Sequence, residues 1–249
     1  MVFAAATLTT VSGLCAVFLL LGWTLPGWIV LVGRWIPALV SLVVMRAFPL
    51  PGGIGTWWGL RPGGWRRLLV GAVAGVGALL ATHVLTMLVA GATRVASPLP
   101  GSELASVVPV LVPLIAVYSL STFGEEVGWR GYLQQLLAGR SFWTASSIVA
   151  GVWVLFHIPL HATLALQDAL PARVLVSSTL LLFPLGLLLS ALVRRFGSIW
   201  PAVLAHALPL SALNLVQDPE GLAPGSFWAF TALSAVALAG AALLLAPRS

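Results

Sequence analysis

Lysine is absent from the 249 residues, and all 12 basic residues are arginine. No chemistry demands that; it reads as a coding bias of the kind a GC-rich genome imposes. Charge of any sign is scarce, at 7% of residues, against about a quarter in a soluble domain. That scarcity excludes an ordinary water-soluble globule. With 60% hydrophobic residues, the chain reads as an all-α, polytopic transmembrane helical bundle. The lone cysteine, Cys15, sits in an apolar run and excludes an intrachain disulfide framework. Internal repeats, low-complexity tracts and a soluble domain are also missing, so residues 1–249 form a single integral membrane domain. The net charge of +6 is no nucleic-acid signal; membrane lipid is the expected surrounding partner.

A spanning helix needs about 20 apolar residues. Eight such stretches are legible: Phe3–Gly22, Trp28–Val44, Leu68–Val89, Val107–Leu137, Thr144–Leu164, Val174–Val193, Ile199–Val216 and Phe227–Leu245. The fourth is longer than a bilayer requires and is expected to tilt or protrude. Alternate loops hold Arg46, Arg61, Arg66, Arg67, Arg140, Arg194, Arg195 and Arg248 without an acid; the others mix Arg94 and Arg173 with Glu103, Asp168, Asp218 and Glu220. Arginine excess marks the inner side, which predicts N-in/C-in topology in the inner (plasma) membrane of a bacterium. No cleaved signal peptide is expected at the first apolar run. The loop Pro49–Arg67, with Trp57, Trp58 and Trp65 beside arginines, reads as an interfacial anchor.

One run breaks the apolar pattern. Phe123-Gly124-Glu125-Glu126-Val127-Gly128-Trp129-Arg130-Gly131 puts three charges within the fourth span. Each costs roughly 2.5–3.5 kcal/mol at a membrane helix centre, so they must face protein and pair. Glu126 and Arg130 are four apart and share a helix face in the favourable order for an ion pair. Glu125 is rotated by about 100° from its neighbour. It has no sequence-local partner and is expected to point unpaired into the bundle, where a carboxylate can act as a general base. A purely structural salt bridge is the competing reading for Glu126 and Arg130.

Of four histidines, His157 lies about 20 Å into the fifth span and His206 about 12 Å into the seventh, at 1.5 Å per residue. Glu125 reaches a similar depth. His157 and His161 are four apart and could ligate one metal, but Pro159 between them disturbs that turn. His83 has no polar neighbour in its span and reads as structural.

The motif Glu125-Glu126-Val127-Gly128-Trp129-Arg130-Gly131 resembles the EExxxR signature of the CAAX-protease and bacteriocin-processing (CPBP) family of intramembrane endopeptidases. Trp153-Val154-Leu155-Phe156-His157 stands at that family's FxxxH motif, and His206 at the histidine of its HxxxN motif. The motif-bearing core runs over about 107–216. The resemblance implies that Glu125 and His157 activate a water, that Glu126 and Arg130 support them, and that His206 stabilises the oxyanion. If a divalent metal such as zinc takes part, Glu125, His157 and His206 would hold it. Two positions depart from the pattern. Trp153 replaces phenylalanine, and Leu210 stands where asparagine would supply a second oxyanion donor. Asn214, a further four residues on, is about 6 Å away in depth along a straight helix.

The leading reading is therefore an intramembrane endopeptidase cleaving a hydrophobic or lipidated peptide near the inner leaflet. A Glu/His proton-transfer enzyme, an isomerase or cyclase acting on a lipid-like small molecule, keeps the same pocket. A non-catalytic scaffold or immunity protein is the third.

Overall fold

The computed structural model describes residues 1–61 and 63–247. Arg248, counted above among the inner charges, lies outside them. The described residues are helical throughout, with one isolated bridge between Pro98 and Val216. The helices are α1 (Val2–Leu20), α2 (Gly27–Gly33), α3 (Ile36–Ala47), α4 (Ile54–Trp57), α5 (Trp65–Ala92), α6 (Gly101–Glu126), α7 (Gln134–Leu136), α8 (Phe142–Leu166), α9 (Ala172–Phe196), α10 (Trp200–His206) and α11 (Pro224–Leu245). A π-helical stretch, Val127–Leu133, joins α6 to α7. Among the described residues, seven helices are long and apolar enough to cross a membrane, with α2–α3 and α6–α7 each taken together. The chain is a multi-pass helical bundle.

The eighth expected span takes another form. Ile199–Val216 is not a continuous helix: α10 covers seven residues, and a 3-10 turn follows only at Ala212–Leu215. Pro209 explains the break, because proline disfavours helix at the residue before it and offers no N–H of its own. The segment nonetheless runs the length of α5. The Ile199 N–H donates to Gly59 O at one end of the bundle, and at the other Leu99 N–H donates to Leu215 O. Close packing holds it in place: Cβ atoms at Gly71 and Gly75 would lie 2.6 Å and 2.7 Å from Pro201.

The Pro49–Arg67 loop is more than an anchor. Trp65 is exposed, as an interfacial ring should be, but Trp57 and Trp58 are half-buried against the bundle end. The Trp58 indole N–H donates to Ser41 Oγ at 3.0 Å and the Trp200 indole to Leu60 O at 2.9 Å. Gln135 Nε2 donates to Thr56 O at 2.8 Å. The loop thereby caps the arginine-rich end.

The core centres on the π-helical stretch. Trp129 and Tyr132 meet the edge of Phe3 at 5.5 Å and 5.1 Å, and Trp129 meets Phe156 at 5.5 Å. Small residues let neighbours approach this segment closely. A Cβ at Gly124 would lie 2.7 Å from Arg34 O, one at Gly128 would lie 2.3 Å from Pro37 Cβ, and one at Gly131 would lie 2.7 Å from Trp58 O. Gly124 and Gly128 thus bring the break between α2 and α3 directly against the charged motif, and Gly131 admits the backbone of the capping loop.

Candidate active site

Glu125 and Glu126 end α6, and both are fully buried. Hydrogen bonds fix the neighbouring elements around them: Ser121 Oγ donates to Leu31 O at 2.9 Å and Thr122 Oγ1 to Val203 O at 3.1 Å. The expected ion pair is present, with Arg130 Nη1 2.9 Å from Glu126 Oε1. π-helical segments recur at functional sites, and Arg130 lies within one here.

Glu125 is not unpaired. Arg34 Nε lies 3.2 Å from its Oε1, an ion pair by distance without hydrogen-bond alignment. Its Oε2 accepts a short hydrogen bond from the Trp153 indole N–H. Both partners escaped the sequence reading. Arg34 comes from the second span, where the signal was plain: an arginine amid an apolar stretch that no loop accounts for. Trp153 is more than an aromatic replacement, because its N–H is a donor that phenylalanine lacks.

His157 is buried, with Nδ1 2.9 Å from Trp153 O. Donating Nδ1–H to that carbonyl leaves Nε2 with a lone pair. Its ring stands edge-on to the Trp153 indole at 5.3 Å, and the His206 ring does so at 5.2 Å. Glu125 and His157 line one cavity of about 300 Å³, together with Arg34, Cys15 and His161.

His206 meets the motif at its second glutamate. Its Nδ1 lies 2.9 Å from Glu126 Oε1, so Glu126 is shared between Arg130 and His206. His206 lines a second cavity of about 290 Å³ with His83, Leu210 and Asn214. The depth argument against Asn214 assumed an unbroken helix, and the break at Pro209 removes that assumption. Asn214 folds back, its Oδ1 accepting from Ser211 N–H and Oγ–H, each at 2.8 Å. Leu210 adds no donor.

The donor set does not fit a metal centre. Both Glu125 oxygens face Arg34 or Trp153, and the described residues bring no three His, Cys, Asp or Glu side chains together in an arrangement for an ion. The suggested His157–His161 pair is diverted as well, since His161 Nδ1 meets Thr179 Oγ1 at 2.6 Å.

Comparison with known families gives one match. The model of the family described as Type II CAAX prenyl endopeptidase Rce1-like matches residues 107–209, less than half of the chain but including Glu125, Glu126, Arg130, His157 and His206. No curated protein matches the chain.

Proposed function

We propose that this protein is an intramembrane endopeptidase of the CAAX-protease (CPBP) type, as the family model over residues 107–209 supports, and that its Glu125 and His157 activate the attacking water. One observation carries this assignment of roles. Glu125 and His157 open onto the same cavity, while Glu126 is taken up by Arg130 and His206. The cavity is lined mainly by apolar side chains, including Leu14, Ile29, Phe156 and Leu160, which suits a hydrophobic or lipidated peptide.

In this reading a water sits between the Glu125 carboxylate and His157 Nε2. The water oxygen attacks the scissile carbonyl carbon, and its proton passes to Glu125. The tetrahedral intermediate then collapses, the C–N bond breaks, and the proton is delivered to the leaving amine nitrogen. Arg34 and the Trp153 N–H orient the base, which limits the reorganisation the step requires. The Trp153 carbonyl fixes the His157 tautomer. Oxyanion stabilisation falls to His206 Nε2. Nε2 donates when the proton between Nδ1 and Glu126 Oε1 resides on the carboxyl, which leaves the neutral ring with its hydrogen at Nε2.

The test is processing of a hydrophobic or prenylated peptide by purified protein in lipid. Glu125→Gln and His157→Ala should each abolish cleavage while the protein still inserts and folds, with Glu125→Gln losing stability as Arg34→Gln does, because both break the same ion pair. Full cleavage by either variant overturns the mechanism.

A further inference from the structure

Behind the ion pair, on the side away from the Glu125 cavity, the bundle holds a set of polar atoms that the proposed mechanism does not use. Arg130 Nε and Nη2, Gln134 Oε1, Ser146 Oγ and Ser190 Oγ are all buried and have no hydrogen-bond partner among the described residues. Their side chains are at least nine-tenths buried, with Ser146 and Ser190 at 0%, Arg130 at 1% and Gln134 at 4% exposure.

These atoms lie together. Gly186 on α9 packs on Ala150 of α8, where an added Cβ would be 2.9 Å from the Ala150 Cβ and 3.2 Å from Arg130 Nη2. Ser146 and Ser190 each lie one turn from that contact toward the arginine-rich end. Gln134 Nε2 donates to Ser190 O at 3.4 Å, leaving its Oε1 as a bare acceptor. Arg130 and Gln134 also line a cleft of about 420 Å³ that opens among Thr56, Arg61, Arg194 and Ser198 at that end.

The mixture of donors and acceptors selects the occupant. An anion would meet the Gln134 carbonyl oxygen, and a cation would meet the guanidinium. Water can accept from Arg130 while donating to Gln134, and either serine hydroxyl can complete its shell. We propose that Arg130, Gln134, Ser146 and Ser190 hold a chain of water molecules continuous with the cleft, forming a hydrated inlet from the arginine-rich face to the Glu126–Arg130 pair. That the inlet supplies the hydrolytic water rests on the peptidase reading and requires passage past the Glu126–Arg130 pair to Glu125. The inlet's hydration needs neither.

Silver ion, which follows narrow aqueous paths and binds thiols, tests both parts. In a Cys15→Ser background, Ser190→Cys and, separately, Ser146→Cys are reconstituted and exposed to silver from the arginine-rich side. Each protein is then unfolded and labelled with a fluorescent maleimide. The inlet predicts complete loss of maleimide labelling at both positions, while Leu155→Cys, at a lipid-facing site exposed on the same helix, keeps its label. Retained labelling at both serine positions overturns the inlet. The silver-treated proteins are also assayed for cleavage. Blocked thiols with lost cleavage support supply through the inlet, and blocked thiols with unchanged cleavage overturn that use of it. A protein that never cleaves peptide but shows the labelling pattern refutes the peptidase reading and leaves the hydrated inlet standing.

Discussion

Gly128 should tolerate no side chain, and alanine is the smallest test. A Cβ there would stand 2.3 Å from Pro37 Cβ and 2.8 Å from the Pro37 carbonyl carbon. Carbon atoms in contact prefer about 3.5–4.0 Å, so relief requires a separation of roughly 1.2–1.7 Å. Pro37 is a rigid ring on a buried backbone, and no flexible side-chain end is there to yield. Overpacking of this kind costs about 1–3 kcal/mol, and this site belongs at the upper end. In a chain of this length that corresponds to a fall of about 5–10 °C in unfolding temperature. The displacement also moves α3, and with it Arg34, away from Glu125. A misplacement of about 1 Å at a reacting group can cost 10²-fold in rate. Thermal unfolding in detergent and peptide cleavage in lipid measure the two effects. Gly151→Ala is the control, because nothing lies within 4 Å of its added Cβ. If Gly128→Ala unfolds and cleaves like Gly151→Ala, the close approach that positions the site is refuted.

Arg34→Gln should lower both stability and cleavage. Breaking a buried ion pair costs about 3–5 kcal/mol, and the partly exposed guanidinium places this one at the lower end; cleavage at the wild-type rate would remove Arg34 from the site. Trp153→Phe keeps an aromatic edge for both imidazoles but deletes the donor to Glu125. Hydrogen bonds to charged groups are worth about 1.5–3 kcal/mol, so cleavage should fall by one to two orders of magnitude (tenfold per about 1.4 kcal/mol), measured as kcat/KM. Leu210→Asn restores a donor in the cavity that His206 lines and should raise peptidase activity; no gain would leave proton-transfer chemistry on a small lipid open. Chelator treatment should leave cleavage unchanged, as the donor set offers no metal centre, and loss rescued by zinc would reverse that conclusion.

The pattern of apolar runs made the bundle legible, since lipid forces helices on any long uncharged segment. The Glu126–Arg130 pair was legible for the same reason that made it notable: two charges four apart in an apolar helix must meet. What escaped depended on contacts distant in sequence. Arg34 and Glu125 are brought together by the glycines at 124 and 128, and glycine spacing within a helix does not name its partner. Asn214 is placed by depth along a straight helix, an assumption that the break at Pro209 removes. The ring of Trp153 is legible as an aromatic at its motif position, whereas the partner of its N–H lies on another helix.

The interrupted crossing at Ile199–Val216 has a consequence for biogenesis. A helix entering lipid carries its own backbone hydrogen bonds, but Pro209–Ser211 donates none to another backbone group, and bare peptide groups are not tolerated against acyl chains. This segment therefore cannot partition from the translocon by itself. It must wait for α5 and α9 to be in place as its walls, and the staple from Leu99 to Leu215 closes behind it. The imidazole of His206 thus arrives last, so the unfinished protein carries the acid pair without the ring that completes it.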